Sequence, residues 1–343
     1  MLNKELAKQR SQLMQKVRDF FNARNFTEVE TPIMVTIPGM EPYLTPFETK
    51  FTLPSHLKTE QNSTINLYLN TSPELQLKKL LGAGFGNIFD IIKVFRNGEV
   101  GGDLHNPEFS MIEWYREKAD YKDIMQDCES LVLELVKSQS QDNSAKILNY
   151  QNTKIDLTTP WPRKTTNELF QEYCGIDLLQ NKEFEELKKS AESKNYDTNG
   201  CENWDDIYFK IFLNHIEPNL PKDRPIFVYD YPVSQAALAK KSTTNPFFAE
   251  RFELYIGGTE LANSFSELID SKEQRERLME EQNLRRQLNK TVFDIDEEFL
   301  ASLESIQFPC AGIALGLDRL FMLLLDKKSI EEVILFPLAK YIN

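Results

Sequence analysis

Histidine is scarce. The 343 residues hold three, His56, His105 and His215, too few and too scattered for a histidine-based metal site or a Ser-His-Asp triad. Cysteine is nearly as rare. Cys128, Cys174, Cys201 and Cys310 lie far apart with no CxxC pair, which excludes a disulfide frame or a zinc ribbon and points to reduced thiols in a cytoplasmic protein. No apolar run reaches the ~18 residues of a membrane helix. The N-terminus "MLNKELAKQRSQLMQKVRDFF" is charged and amphipathic, without the apolar core or cleavage site of a secretory signal. No GxGxxG or GxxxxGK[ST] string occurs, so the usual glycine-rich nucleotide loops are missing. Basic residues are outnumbered and the formal net charge is −13, which argues against a broad phosphate-binding surface.

What is present is enough hydrophobic residue, 41%, for a sizeable core. Leu6, Leu13, Met14, Val17, Phe20 and Phe21 recur at helical spacing over 3–24. Pro32 ends the following segment. "INLYLN" reads as a strand, and "TSPELQLKKLL" opens a helix with Ser72 as N-cap, Pro73 in the first turn and Glu74 complementing the dipole. "NIFDIIKVFRN" and "EFSMIEWYR" read as an antiparallel hairpin, and 120–138 as a helix. A polar linker, "KSQSQDNSAK", leads into a helical insertion over about 140–225. "PIFVYDYP", "FAERFELYIGG" and "ELANSFSEL" return to strands, followed by a charged helix over about 271–289. "CAGIALGLDRLFMLLLD" reads as strand, glycine turn and apolar helix. Strands joined by hairpins rather than alternating with helices predict an α+β fold with a largely antiparallel sheet flanked by helices.

Three stretches carry chemistry. In "FRNGEVGGDLHNPEF", Arg96 ends one strand and Phe109 begins the next. A nucleotide held across the hairpin would set phosphate at the guanidinium fork and its base on the ring, although a surface hairpin with a core phenylalanine has the same pattern. In "TELANSFSELID", Glu260 and Glu267 are seven apart, an odd number that puts them on opposite faces of a straight strand. A bend would let both reach one cavity, as magnesium ligands facing a triphosphate or with one holding a substrate amine; two solvated acids on a sheet edge are the plainer alternative. In "GIALGLDRL", Gly312 and Gly316 would let a ligand approach the backbone, and Arg319 sits in the first turn of a helix whose N-terminus suits an anion. The same string also fits an ordinary strand–helix connection.

Their order is distinctive. "VETP", then Arg–loop–His–Asn–Pro–Glu–Phe, then paired glutamates, then Gly-x-Asp-Arg resembles motifs 1, 2 and 3 of the class II aminoacyl-tRNA synthetases over essentially the whole chain. "TSPE", "HNPEF", "EWY" and "ELANSFSEL" look like the lysyl subgroup. The resemblance implies a single catalytic domain over 1–343 with a mostly antiparallel six-stranded sheet, a homodimer formed through motif 1, and activation of an amino acid by ATP and Mg2+ to an aminoacyl-adenylate. It implies Arg96 and Arg319 as catalytic residues, on the carboxylate with the α-phosphate and on the γ-phosphate. Asn97, Gly98, Asn106, Phe109, Glu260, Leu261 and Gly316 would complete the ATP site, with Phe109 stacking on adenine. Ser72, Pro73, Glu74, Tyr115, Glu267 and Ala314 would line the amino-acid pocket, and Glu260 and Glu267 are the candidate metal ligands. Seven residues, "GEVGGDL", precede "HNPEF" where the family usually has six, so either Gly98 or Glu99 takes the ATP-contacting position. Ser264 stands where "LANGF" would have glycine.

Motif 1 falls at Glu30-Thr31-Pro32, leaving no room before it for an anticodon-binding barrel, and about two dozen residues follow motif 3. This resembles the family of elongation factor P–lysine lysyltransferases, truncated paralogues of lysyl-tRNA synthetase. That family would imply (R)-β-lysine or lysine as substrate, elongation factor P as partner and acceptor, a cytoplasmic location, and neither stable tRNA binding nor membrane association. Ala314, where glycine is usual, adds a methyl to the pocket. A free-standing enzyme charging tRNA and a catalytically silent regulatory paralogue are the alternatives.

Overall fold

The computed structural model describes residues 3–59, 63–99, 102–139 and 146–342. The chain divides into two compact units, Met1–Ala119 with Leu268–Asn343, and Asp120–Glu267.

In the first unit, helix Lys4–Asn22 is capped by Asn3, whose side chain accepts from the Glu5 and Leu6 amides. Its buried stripe is Leu6, Leu13, Val17, Phe20 and Phe21, with Met14 half-buried. Four strands follow in the order Thr27–Glu28, Ile88–Phe95, Glu108–Glu117 and Cys310–Gly316. The first pairing is parallel and the other two antiparallel. Because strand side chains alternate, this sheet has two distinct faces. One carries Phe89 and Trp114, against which Phe21 packs at 4.9 and 5.1 Å between ring centroids. The other carries Asp90, Glu113 and Ala314 in one row and Ile88, Tyr115 and Gly312 in the next. Helix Glu74–Gly82 covers part of this second face through Leu77 and Leu81. Motif 1 is tied to the sheet by Asp90, which accepts from the Thr31 amide at 3.0 Å and its hydroxyl at 2.7 Å. A separate antiparallel sheet joins Met34–Val35, Thr64–Leu69 and Glu48–Thr52.

The second unit has helix Tyr121–Gln139 and four strands in the order Thr259–Ser266, Phe248–Ile256, Ile226–Pro232 and Arg163–Thr165. Two pairings are antiparallel and the last is parallel. Within 140–225 lie helices Phe184–Ser193 and Trp204–Ile211 and two π-turns, Phe170–Cys174 and Phe212–Ile216. These bury Leu169, Tyr208 and Ile211 in one apolar cluster. The same stretch also holds the hairpin Ile147–Tyr150/Thr153–Asp156, turned by Gln151 and Asn152 at φ 46° and 65°. Residues 140–145 of the expected linker lie outside the described residues.

The architecture is α+β and mostly antiparallel, as the sequence predicts. Among the described residues the principal strands number eight rather than six. The two additional ones, Thr27–Glu28 and Arg163–Thr165, are parallel edge strands of 2 and 3 residues, too short to show a period of two. Among the described residues no helix is long and apolar enough to cross a membrane.

Candidate active site

The strand pairing that sets Val94 opposite Phe109 also brings Arg96 back onto that ring, with its guanidinium carbon 5.2 Å from the centroid. The intervening loop is a turn at Gly98, whose φ of +88° favours glycine. Glu99 folds back to 3.7 Å from the Arg96 guanidinium. Val100 and Gly101 lie outside the described residues. Asn106 is buried, and both ends of its amide are engaged: it accepts from the Leu338 amide at 3.0 Å and donates to the Glu108 carbonyl. It therefore clasps the loop to the C-terminal segment.

Arg319 joins this group. Its Nη2 lies 3.1 Å from His105 Nε2 and its Nε donates to the Leu104 carbonyl at 3.3 Å. Burial lowers the His105 pKa, with Arg319 the next cause, so the imidazole is neutral at pH 7. Arginine can only donate, so Nε2 accepts and the ring proton sits on Nδ1. The expected glycine turn ahead of Arg319 is absent. Strand Cys310–Gly316 runs directly into helix Leu317–Leu324, and Gly316 is the N-cap with φ −72°. Asp318 pins the junction: 1% exposed, it meets Arg10 at 2.7 Å and accepts from the Ser110 amide at 2.7 Å.

The second cluster gathers on the sheet face under helix Glu74–Gly82. That helix starts at Glu74, with Pro73 at the cap, one residue later than the sequence suggests. Ser72 accepts from the Glu74 amide at 3.1 Å and donates to Glu113 Oε1 at 2.6 Å. Tyr115 reaches Glu113 Oε2 at 3.4 Å. Lys78, fully buried, donates to Glu74 Oε1 at 2.6 Å. Burial pushes the Glu113 carboxyl well above the usual carboxylate range, and Glu74 adds to this; Ser72, Lys78 and Arg96 oppose it. Glu113 is not among the expected site residues, although it opens the "EWY" string and alternates with Tyr115. Gly312 is expected from the sequence to admit a ligand to the backbone. In fact a Cβ there would lie 2.2 Å from the Tyr115 ring, so the glycine makes room for that tyrosine. Ala314 pairs with Glu113 and packs beside Ile92, Met111 and Phe109.

In the second unit the odd spacing of the two glutamates is resolved by a β-bulge. The register shifts so that Leu254 faces Ala262 while Tyr255 faces Glu260, leaving Leu261 as the extra residue. The bulge returns Glu260 to the face shared by Asn263 and Phe265, and Glu267 continues that face, bridged to Ala239. Leu261 is itself buried, so only its backbone is placed for contact. Glu253, which no motif in the sequence marks, lies beside this row. It accepts from Tyr231 at 2.6 Å, Tyr255 at 2.7 Å and Arg251 at 2.6 Å.

The first unit thus holds Arg319 on a neutral histidine, Arg96 beside the Phe109 ring, and the buried Glu113 opposite Ala314. The chain belongs to the class II aminoacyl-tRNA synthetase family: the model described as tRNA synthetases class II (D, K and N) matches residues 2–340. It is 39% identical over 327 residues to an elongation factor P–(R)-β-lysine ligase of Haemophilus influenzae, covering 95% of this chain and 93% of that protein. A protein of the same name from Hamiltonella defensa is 36% identical over 333 residues, 96% and 94% of the two chains. A lysine–tRNA ligase of Pelotomaculum thermopropionicum is 37% identical over 345 residues, 98% of this chain but 64% of that protein, so the chain spans less than two thirds of its length.

Proposed function

We propose that the protein joins (R)-β-lysine or lysine to ATP as an aminoacyl-adenylate and transfers the acyl group to a lysine side chain of elongation factor P. The observation that carries this reading is the match, nearly end to end, with ligases of that name. A carboxylate oxygen of the amino acid attacks the α-phosphorus of ATP and pyrophosphate departs. The acceptor's ε-amine then attacks the carbonyl carbon, loses a proton, and AMP leaves. Neither step needs a covalent nucleophile from the protein; positioning and charge neutralisation suffice.

Arg96 holds the carboxylate and the α-phosphate, and Phe109 offers its ring to adenine. Arg319, steadied by His105, takes the γ-phosphate. Ser72, Tyr115 and Glu113 form the floor of the amino-acid site, and Glu74 and Glu267 are further carboxylates for its ammonium groups. Magnesium fits Glu260. Among the described residues no group of three or more acidic, histidine or cysteine side chains could hold a metal alone, and Mg2+ typically takes one or two carboxylates with substrate phosphates and water. When bound it would neutralise triphosphate charge. Exposed Met34, Phe51 and Ile65 on the three-stranded sheet favour a homodimer, and the −13 charge favours a protein acceptor over tRNA. A cytoplasmic location belongs to the same reading.

The test is mass spectrometry of elongation factor P after incubation with enzyme, ATP and each lysine isomer. A mass increase on one lysine is expected. Efficient tRNA charging with an unmodified factor would leave a small lysine–tRNA ligase instead. No ATP–pyrophosphate exchange at all would leave a silent paralogue.

Two substitutions separate the roles. Glu260→Gln is expected to raise the ATP and Mg2+ requirement roughly tenfold, with amino-acid KM little changed, because a metal ligand loses its charge. Glu267→Gln is expected to do the reverse, since an ammonium loses a charge-assisted bond. Titrating each substrate separately in pyrophosphate exchange measures both, and an ATP effect in both variants would refute the division.

Ala314→Gly is expected to improve activation of lysine relative to (R)-β-lysine. Its methyl lies on the face of Glu113 and Phe109, and one such group is worth about 1–3 kcal/mol of discrimination. Relative kcat/KM for the two isomers reads this directly; an unchanged ratio removes Ala314 from the specificity account.

A further inference from the structure

Two buried polar atoms of the first unit, on side chains of opposite charge, have no hydrogen bond among the described residues: Glu41 Oε2 and Arg96 Nε. Burial raises the Glu41 pKa, and the Glu41 backbone amide, Arg96 and Arg285 oppose that rise. The carboxyls around them are differently placed. Glu113 is bonded to Ser72 and Glu74 to Lys78. Glu41 is the acid here whose inner oxygen meets no donor.

The loop is built to hold that carboxylate in place. Arg285 donates to the Glu41 carbonyl at 2.8 Å and the Leu44 carbonyl at 3.2 Å, and Lys290 donates to the Tyr43 carbonyl at 3.1 Å. The Asn97 amide bonds the Thr45 carbonyl at 2.8 Å, tying the loop to the residue after Arg96. Gly39 leaves room for it: a Cβ there would lie 2.1 Å from Glu41 Oε2, so a side chain at this position would displace the carboxylate. Burial pushes the Glu41 carboxyl up, and Glu74 adds to this. Burial likewise raises Glu281 to about 8, with Glu41 and Glu74 next. A desolvated carboxylate without a bonded cation is costly unless something arrives to pair with it.

We propose that Glu41 receives the amino group nearest the substrate's carboxylate, opposite Arg96, and so selects the spacing between amine and carboxylate. This rests on the reading that an amino acid binds at Arg96. The unpaired donor and the unpaired acceptor are complementary to the two ends of one zwitterion. Lysine and β-lysine differ by one carbon in that distance, so the position of the Glu41 carboxylate discriminates between them. Glu41 is thus a specificity residue, whereas the distal ammonium is left to other carboxylates.

The experiment is ATP–pyrophosphate exchange by the full chain with (R)-β-lysine and with lysine. 6-Aminohexanoate, which keeps the carboxylate and the distal amine but lacks the near one, serves as competitive inhibitor. Glu41→Gln is expected to raise the KM of the preferred isomer roughly ten- to a hundredfold, the value of a lost charge-assisted bond. The ATP KM and the inhibition constant of 6-aminohexanoate are expected to change less than about threefold. Gly39→Ala, which keeps the charge but displaces the carboxylate, is expected to narrow the preference between isomers. An equal loss for substrate and inhibitor, or no change in either, overturns the proposal. Absence of exchange by the unaltered enzyme with either isomer overturns the functional reading beneath it.

Discussion

Replacing Arg319 with alanine is expected to slow adenylate formation roughly a hundredfold or more while the chain still folds. The side chain stands in the first turn of helix Leu317–Leu324, partly exposed, with its guanidinium set by His105 at 3.1 Å and the Leu104 carbonyl at 3.3 Å. A histidine held neutral by burial can accept from the arginine without repelling it. The guanidinium is therefore oriented before the triphosphate arrives, which is the condition under which electrostatic stabilisation is most effective. Losing one such preorganised contact costs about 3 kcal/mol, and each 1.36 kcal/mol is tenfold in rate. Folding is expected to persist because alanine is the best helix former and leaves no buried charge unpaired. Pyrophosphate exchange measures the first effect and a thermal melt the second. Near-normal exchange by a folded variant would remove Arg319 from the chemistry.

One residue earlier the expected effect falls on stability. Asp318→Ala is expected to cost about 3–5 kcal/mol, the penalty of removing one partner from a buried ion pair. Arg10 would keep a mostly buried charge without its carboxylate, and the Ser110 amide would lose its acceptor. The helix carrying Arg319 would lose its tie both to the N-terminal helix and to the central hairpin, so activity should fall with stability. Urea unfolding of the variant checks the magnitude. The double change Arg10→Met with Asp318→Leu is expected to cost less than Asp318→Ala alone, because it leaves no orphaned charge. A loss below about 1 kcal/mol for the single variant would show that solvent reaches and compensates the pair.

The longer elements were legible because their signals are local. The period of the Lys4–Asn22 helix, the hairpin around the Arg96 loop and the apolar helix after Gly316 are each written in consecutive residues. Edge strands of two and three residues have no such signal, and the turn at Gln151 and Asn152 relies on left-handed residues that composition alone does not mark. In the candidate site, motif order singles out Arg96, Phe109, Glu260, Glu267 and Arg319. It says nothing about which face each occupies.

By itself the sequence determined the class of fold, the family, and the residues that carry charge near the three motifs. Tertiary structure alone decided how those charges are used. It set Arg10 against Asp318 across more than three hundred residues, turned Glu260 by a bulge at Leu261, and filled the space above Gly312 with the Tyr115 ring. It also left Glu41 and Arg96 each with a buried atom unbonded. Periodicity reports only whether a side chain faces the core or solvent. Ion pairs, bulges and unsatisfied atoms depend on register between strands and on contacts between segments distant in the chain, and these exist only once the chain has closed on itself.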